Sequence, residues 1–250
     1  MTDWIVPGWP APGNVKALFT TRNGGIGSGP YTSLNLGDHV GDDPSAVKQN
    51  RALLQRILPD KPRWLKQVHG TTTVRVDDYD GAGPYEGDAA FSWCVRKVCA
   101  VLVADCLPIL FCDHGGTVVG VIHAGWRGMA AGVIERTVSE IGGIGSIDTR
   151  IMAWLGPAIG PNHFEVGEEV RQAFIKHDKK AALAFFPHNL RSDGKWFADL
   201  FLLARQRLVK AGITEIYGGD ECTFSDPARF FSYRRDGNTG RMAGLIWLDG

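Results

Sequence analysis

Short apolar runs separated by Gly, Pro and Asp dominate the chain. Between residues 88 and 125 they follow one another almost without a break, as DAAFSW, VCAVLVAD, LPILFCD and TVVGVIHAG. Runs of this kind, rich in β-branched and aromatic residues and bounded by turn formers, predict four strands, and the core belongs here. VKALFTT, the β-branched TTTVRV, RIMAWLG, EIYGG, FFSYRR and MAGLIWL predict further strands. Helical spacing appears at 45–58, with Asp43 as N-cap, Pro44 at the first position and Val47, Leu54 and Leu58 on one face. It returns at 127–141, 167–177 and 199–210, the last stopped by Gly212 as a C′ glycine. Consecutive strands with interspersed helices predict an α/β (α+β) layered sandwich with a mixed β-sheet rather than a regular βαβ repeat.

The 250 residues contain no Pro/Ser-rich linker or charge run that would divide them, so a single domain over 1–250 is expected. With 44% hydrophobic and 22% charged residues the chain can bury a core, which excludes a disordered protein. Lys+Arg and Asp+Glu balance at 27 each, so no basic field exists for nucleic acid or anionic lipid, and an anionic ligand must be caught locally. MTDWIVPGWP has no basic segment leading into an apolar run, and VCAVLVADCLPILF is interrupted by Asp105 and Pro108, so a cytoplasmic protein without a membrane partner is expected. Five cysteines without regular spacing argue against a disulfide framework, and Cys99 and Cys112 read as small hydrophobes.

Three residues combine reactive chemistry with an exit from a strand-like run: His69 after LKQV, Cys106 in VADCLP and His123 in VIHAGWRG. The last residue of a strand can present its side chain to a cleft at the sheet's edge. Two imidazoles and a thiolate suit zinc, and three scattered ligands without C-x-x-C or H-x-x-x-H favour an open catalytic site over a closed structural one. The same residues also read as core histidines and a filler cysteine, or as a Cys106 nucleophile with His123 or His69 as base. Arg127 opens a helix, where free N–H groups and a guanidinium together make an anion site. Arg22 and Asn35 flank the glycine-rich loop RNGGIGSGPYTSLNLG, which can close over a ligand, although Asn35 also suits a turn cap. Asp88 reads as a turn former or as the carboxylate that orients a ligand histidine. Tyr233, Arg234, Arg235 and Arg241 surround DGNTG, a cluster that could bind an anion or solvate a hairpin, and the solvated hairpin is the expectation.

The ordered set TTRNGG, SLNLGDHVGDD, LKQVHG, GDAAF, VLVADCLPIL, VIHAGWRG, LGPAIGPNHFEVG and FFSYRRDGNTGR resembles the YfiH family, also called polyphenol-oxidase or laccase-domain proteins. The resemblance covers nearly the whole chain. It implies a single α/β sandwich with one zinc ion on His69, Cys106 and His123, copper being the alternative in isolated material. It departs from the pattern at LGPAIG, where relatives often carry a cysteine. The implied activity is phosphorolysis of adenosine, inosine or guanosine to base and ribose 1-phosphate, together with methylthioadenosine cleavage and adenosine deamination. The partners it implies are therefore purine nucleosides and phosphate, with no protein partner. The rival expectations are a Cys106-based amidase acting on a cell-wall precursor, a copper-dependent polyphenol oxidase and a zinc-binding regulatory module. The oxidase fits poorly with only seven histidines and no H-x-H.

Overall fold

A computed structural model describes residues 3–78, 83–142, 150–187 and 194–250. The strands are β1 (Val15–Phe19), β2 (Thr73–Arg75), β3 (Ala89–Ser92), β4 (Cys99–Val103), β5 (Leu107–Asp113), β6 (Val119–Ala124), β7 (Ile151–Leu155), β8 (Glu165–Val166), β9 (Phe185–Pro187), β10 (Trp196–Ala198), β11 (Glu215–Gly218) and β12 (Met242–Leu248). The helices are α1 (Pro44–Gln55), α2 (Trp126–Ala131), α3 (Val133–Gly142), α4 (Glu168–Ile175), α5 (Leu200–Lys210) and α6 (Tyr233–Asp236). Six strands form the main sheet in the order β11-β7-β5-β6-β3-β2. It is mixed: β2 and β3 pair in parallel, as do β7 and β11, while β3, β6, β5 and β7 pair antiparallel in turn. A smaller sheet has the order β1-β12-β4, and a ribbon of β8, β10 and β9 lies apart from both.

Side-chain alternation sorts these elements into layers. In β5, Leu107, Ile109 and Phe111 join a cluster with residues of α3, α4 and α5, whereas Leu110 and Cys112 join Val101, Met242 and Ile246 of the smaller sheet. In β12 the same alternation sends Met242, Ile246 and Leu248 toward the main sheet and Ala243, Leu245 and Trp247 toward Leu54 of α1. The layers are therefore α1, small sheet, main sheet, then α3 to α5. Both sheets are covered on both faces, which is why their strands are continuous apolar runs instead of alternating ones. Cys99 and Cys112 are fully buried filler in this arrangement.

Two expected elements differ. The 127–141 helix is two helices, broken at Gly132, which has a φ of 101° and caps α2. FFSYRR forms no strand: Phe230 and Phe231 are buried, and the Ser232 hydroxyl caps the N–H of Arg235 to start α6. An N-cap together with a carboxylate bound to the Arg234 N–H outweighs the β-propensity of Phe and Tyr. The chain then enters β12 directly, so DGNTG is not a hairpin.

Gly120 marks the tightest point of the main sheet, because a Cβ there would lie 2.1 Å from Phe111 Cζ and 2.6 Å from the Ala90 carbonyl oxygen. Overpacking of this kind predicts that Gly120→Ala lowers stability by about 1–3 kcal/mol, seen as a lower urea midpoint with an unchanged slope.

Candidate metal centre and its cleft

Strand register brings the trio together. β5 and β6 run antiparallel with Pro108 opposite His123, so Cys106, just ahead of β5, sits beside the end of β6. β3 flanks β6 on its other side with Ala89 opposite Ile122, which places Asp88 next to His123. His69 arrives from the loop before β2. Its backbone is left-handed, with a φ of 59°, a strained state for a residue with a Cβ.

That turn points three successive N–H groups, of Val68, His69 and Gly70, at the carboxylate of Asp88, at 3.2, 2.9 and 2.7 Å. Such a concavity of backbone amides is a ready anion cradle. Asp88 is fully buried, and its fourth partner is His123 Nδ1 at 2.8 Å. Burial opposes its charge, but the bond and charge of His123, with the amides of Gly70 and Val68, outweigh it and hold the carboxyl below its ordinary range. With Nδ1 committed to Asp88, His123 turns Nε2 toward Cys106.

The Cys106 sulfur lies 3.6 Å from His69 Nε2, and the two imidazole rings meet edge to face with centroids 4.8 Å apart. Ligand atoms of His69, Cys106 and His123 all fall within 4.8 Å of one another. A tetrahedral ion with ordinary Zn–S and Zn–N bonds separates sulfur from nitrogen by about 3.6 Å, so the His69–Cys106 spacing fits. Asp88 supplies the outer carboxylate that metal-ligating histidines use. Burial raises the Cys106 thiol, yet His123 and then His69 overcome this and bring it down to about 6. His123 moves the other way: burial lowers it, but the Cys106 thiolate and Asp88 raise it to about 9. Gly125 is required at this point, since a Cβ would lie 2.7 Å from the His69 ring. These three residues could hold a metal ion.

The trio opens into a cleft of about 570 Å³, walled by Gln67 and Leu102 on one side and by Trp126, Arg127, Ile159 and Phe164 on another. Arg127 is exposed and lies over the Trp126 ring, its guanidinium carbon 4.4 Å from the centroid. It opens a helix of only six residues, so its charge rather than a long helix dipole acts on the cleft. Arg22 and Asn35 do not reach the cleft lining. Arg22 bonds the carbonyls of Thr32 and Pro227. Asn35 is fully buried and bonds Gly37, Asp42 and the N–H of Arg241, so it fastens a loop and offers no free atom to a ligand.

Tyr233, Arg234 and Arg241, expected to solvate a hairpin, instead line the cleft. Arg235 is turned away onto the carbonyls of Thr223, Phe224 and Phe230. The cause is Asp105, a buried carboxylate with a φ of 89° that accepts from Thr223, Ser232 and the Arg234 N–H and so draws α6 against the cleft. Gln67 is a further wall residue that sequence reasoning did not single out. Its amide mimics a strand by bonding both the N–H and the carbonyl of Leu102. A polar residue beside the candidate His69 was the only signal available.

A family model described as multi-copper polyphenol oxidoreductase laccase matches residues 16–249. Purine nucleoside phosphorylase YfiH of Escherichia coli K12 is 50% identical over 250 residues, covering 99% of this chain and 100% of the relative. The chain belongs to the YfiH family. A purine nucleoside phosphorylase of Pseudomonas aeruginosa is likewise 50% identical over 248 residues, covering 99% of each chain. Among solved structures, a Neisseria meningitidis protein superposes with a TM-score of 0.92 at 47% identity, covering 99% of this chain and 100% of that one. YfiH of Bacillus licheniformis superposes at 0.86 with 33% identity, over 94% and 92% of the two chains. The expected mixed α/β sandwich is thus the YfiH-family fold.

Two outcomes follow from the geometry. Asp88→Asn keeps the shape but weakens the histidine it orients, so metal affinity falls about 10–100-fold, read by competition with a chromophoric chelator. In metal-free protein at pH 7, iodoacetamide labels Cys106 first, because its thiol ionises near pH 6 while burial pushes Cys112 up to about 12 and also raises Cys99. The labelling rate falls as pH drops through 6, where the thiolate is protonated, and added metal protects the site; peptide mass mapping reads both.

Proposed function

We propose that the protein is a zinc-dependent purine nucleoside phosphorylase that converts adenosine, inosine or guanosine and phosphate to free base and ribose 1-phosphate. Methylthioadenosine phosphorolysis and adenosine deamination are placed at the same centre. The observation that carries this reading is a His–Cys–His metal trio sharing one cleft with Arg127, Arg234 and Arg241. None of these three guanidiniums is ion-paired with a carboxylate among the described residues. Relatives at half identity bearing the phosphorylase name add support.

In phosphorolysis a phosphate oxygen bonds to C1′ as the glycosidic C–N bond breaks, and the bonding pair leaves with the base, which takes a proton. The chain must hold phosphate and ribose in line and stabilise the charge that moves between them. Trp126 and Phe164 line the cleft and give a purine apolar contact. Positive charge for phosphate comes from arginine in the cleft. His69, Cys106 and His123 would hold the zinc ion, with Asp88 locking His123. When bound, the ion supplies Lewis-acid polarisation of an oxygen in the cleft. Among the described residues this is the one group of three or more metal-ligating side chains. One trio supports a single ion and not the several coppers in the family's description. No helix among the described residues is long and apolar enough to cross a membrane.

One observation favours a second reading. Cys106, His123 and Asp88 also stand as thiol, imidazole and carboxylate in the order a Cys–His amidase uses. Zinc-loaded protein given adenosine and phosphate should yield adenine and ribose 1-phosphate, with inosine formed whether or not phosphate is present, and Cys106→Ala should yield none of them. Mass spectrometry of the products checks this. Adenosine left intact under all conditions would sink the nucleoside reading, and amide hydrolysis that survives chelation would favour the amidase.

A further inference from the structure

The three cleft arginines are not equivalent. Arg127 is exposed and rests on Trp126. Arg234 has spent one guanidinium nitrogen on the Glu165 carbonyl and lies over the Phe164 ring, 5.3 Å from its centroid. Arg241 differs from both in how firmly it is held. Its N–H is fixed by Asn35 Oδ1 at 2.9 Å, and its stem lies so close to Gly37 that a Cβ there would be 2.8 Å from Arg241 Cγ. One end of the guanidinium is pinned, Nη1 donating to the carbonyls of Thr239 and Gly240 at 2.9 and 3.0 Å. Among the described residues Nε and Nη2 have no hydrogen-bond partner, and the guanidinium carbon lies 5.9 Å from the centroid of the Tyr233 ring.

A half-buried guanidinium held this rigidly without a carboxylate is costly unless an anion joins it. Burial pulls its pKa below the ordinary value, and the charges that oppose this are, in order, Cys106 and Asp105. Asp105 is consumed by Thr223, Ser232 and Arg234. Cys106 belongs to the metal trio, so a bound metal takes its charge as well. The cation then lines the cleft with the N–H donors of Nε and Nη2 uncommitted, an edge whose paired donors match an oxyanion.

We propose that Arg241 is the phosphate-receiving residue of the cleft, preset by Asn35 and Gly37, and that Arg127 is not. This assignment rests on the phosphorylase reading for its ligand. It also gives Asn35 a positioning role reached through Arg241 instead of through substrate.

The test is titration of the zinc-containing protein with inorganic phosphate, followed by calorimetry, for wild type, R241Q, R241K and R127Q, with zinc content and circular dichroism recorded for each. R241Q should weaken phosphate binding at least about tenfold, and R127Q by less than about threefold, the difference expected between a pinned, half-buried charge-assisted contact and an exposed one. R241K keeps the charge and the stem but loses the fork, so it should fold, keep its zinc and fall between wild type and R241Q. In turnover, the KM for phosphate should rise in R241K while the KM for adenosine stays. Phosphate binding at wild-type strength in both Arg241 variants, or lost only in R127Q, overturns the proposal. Phosphate binding that depends on Arg241 in a protein that leaves adenosine intact keeps the anion site and overturns the phosphorylase reading alone.

Discussion

The carboxylate of Asp88 is the constraint on which the centre depends. It takes a full negative charge out of water, and four N–H donors make that tolerable: three from the backbone at 68–70 and one from His123. Each donor is a demand on the fold. The amides converge only if His69 takes a left-handed backbone, and that conformation in turn throws the His69 imidazole toward Cys106. The imidazole of His123 is fixed at Nδ1 and so exposes Nε2. One buried charge thus sets two ligand orientations on segments 54 residues apart in sequence. Removing it would strand several donors at once, the kind of loss that a buried polar network concentrates in a single residue.

The same device recurs on the opposite wall. Asp105 also has a left-handed backbone and a buried carboxylate with several donors, and it draws α6 and the 223 region together. The two acids stand next to ligands in different ways: Asp88 bonds His123 directly, and Asp105 immediately precedes Cys106 in sequence. The cleft is therefore framed by two structural anions whose charges are satisfied internally, which leaves its arginines free to meet an outside one. Close packing completes the frame, since Gly125 and Gly128 let α2 press against the His69 turn, where a Cβ at Gly128 would lie 2.7 Å from the Gly70 carbonyl oxygen.

Much of this was legible in the chain. LPILFCD and MAGLIWL are strands from first residue to last, because unbroken apolar runs between turn formers leave little freedom where both faces are covered. His69, Cys106 and His123 could be picked out because each follows an apolar, strand-like run near Gly or Pro, although only His123 lies in a strand, His69 and Cys106 standing in the loops before β2 and β5. The arginine cluster could not be placed. Phe230 to Arg235 has strand composition, and its fate is decided by Asp105, more than a hundred residues away, whose bonds no local pattern announces. The 127–141 helix looked continuous because its apolar spacing continues through Gly132, and only the left-handed turn at that glycine divides it. Asn35 carries the same lesson, since its partner Arg241 lies across the whole sequence.

The position of β12 bears on how the molecule is assembled. It is the middle strand of the smaller sheet, yet it follows both of its neighbours, pairing with β1 from Val15↔Leu248 to Phe19↔Gly244 and with β4 from Met242↔Val103 to Ile246↔Cys99. A chain synthesised in order presents β1 and β4 with open edges until β12 arrives between them. Pairings of such long sequence separation form slowly, and the unpaired edges meanwhile invite association with other chains. Arg241 immediately precedes β12, so the cleft gains that wall only when this last pairing closes. A partly folded chain therefore cannot display a finished binding site, and the step that protects the strand edges from aggregation is also the step that completes the cleft.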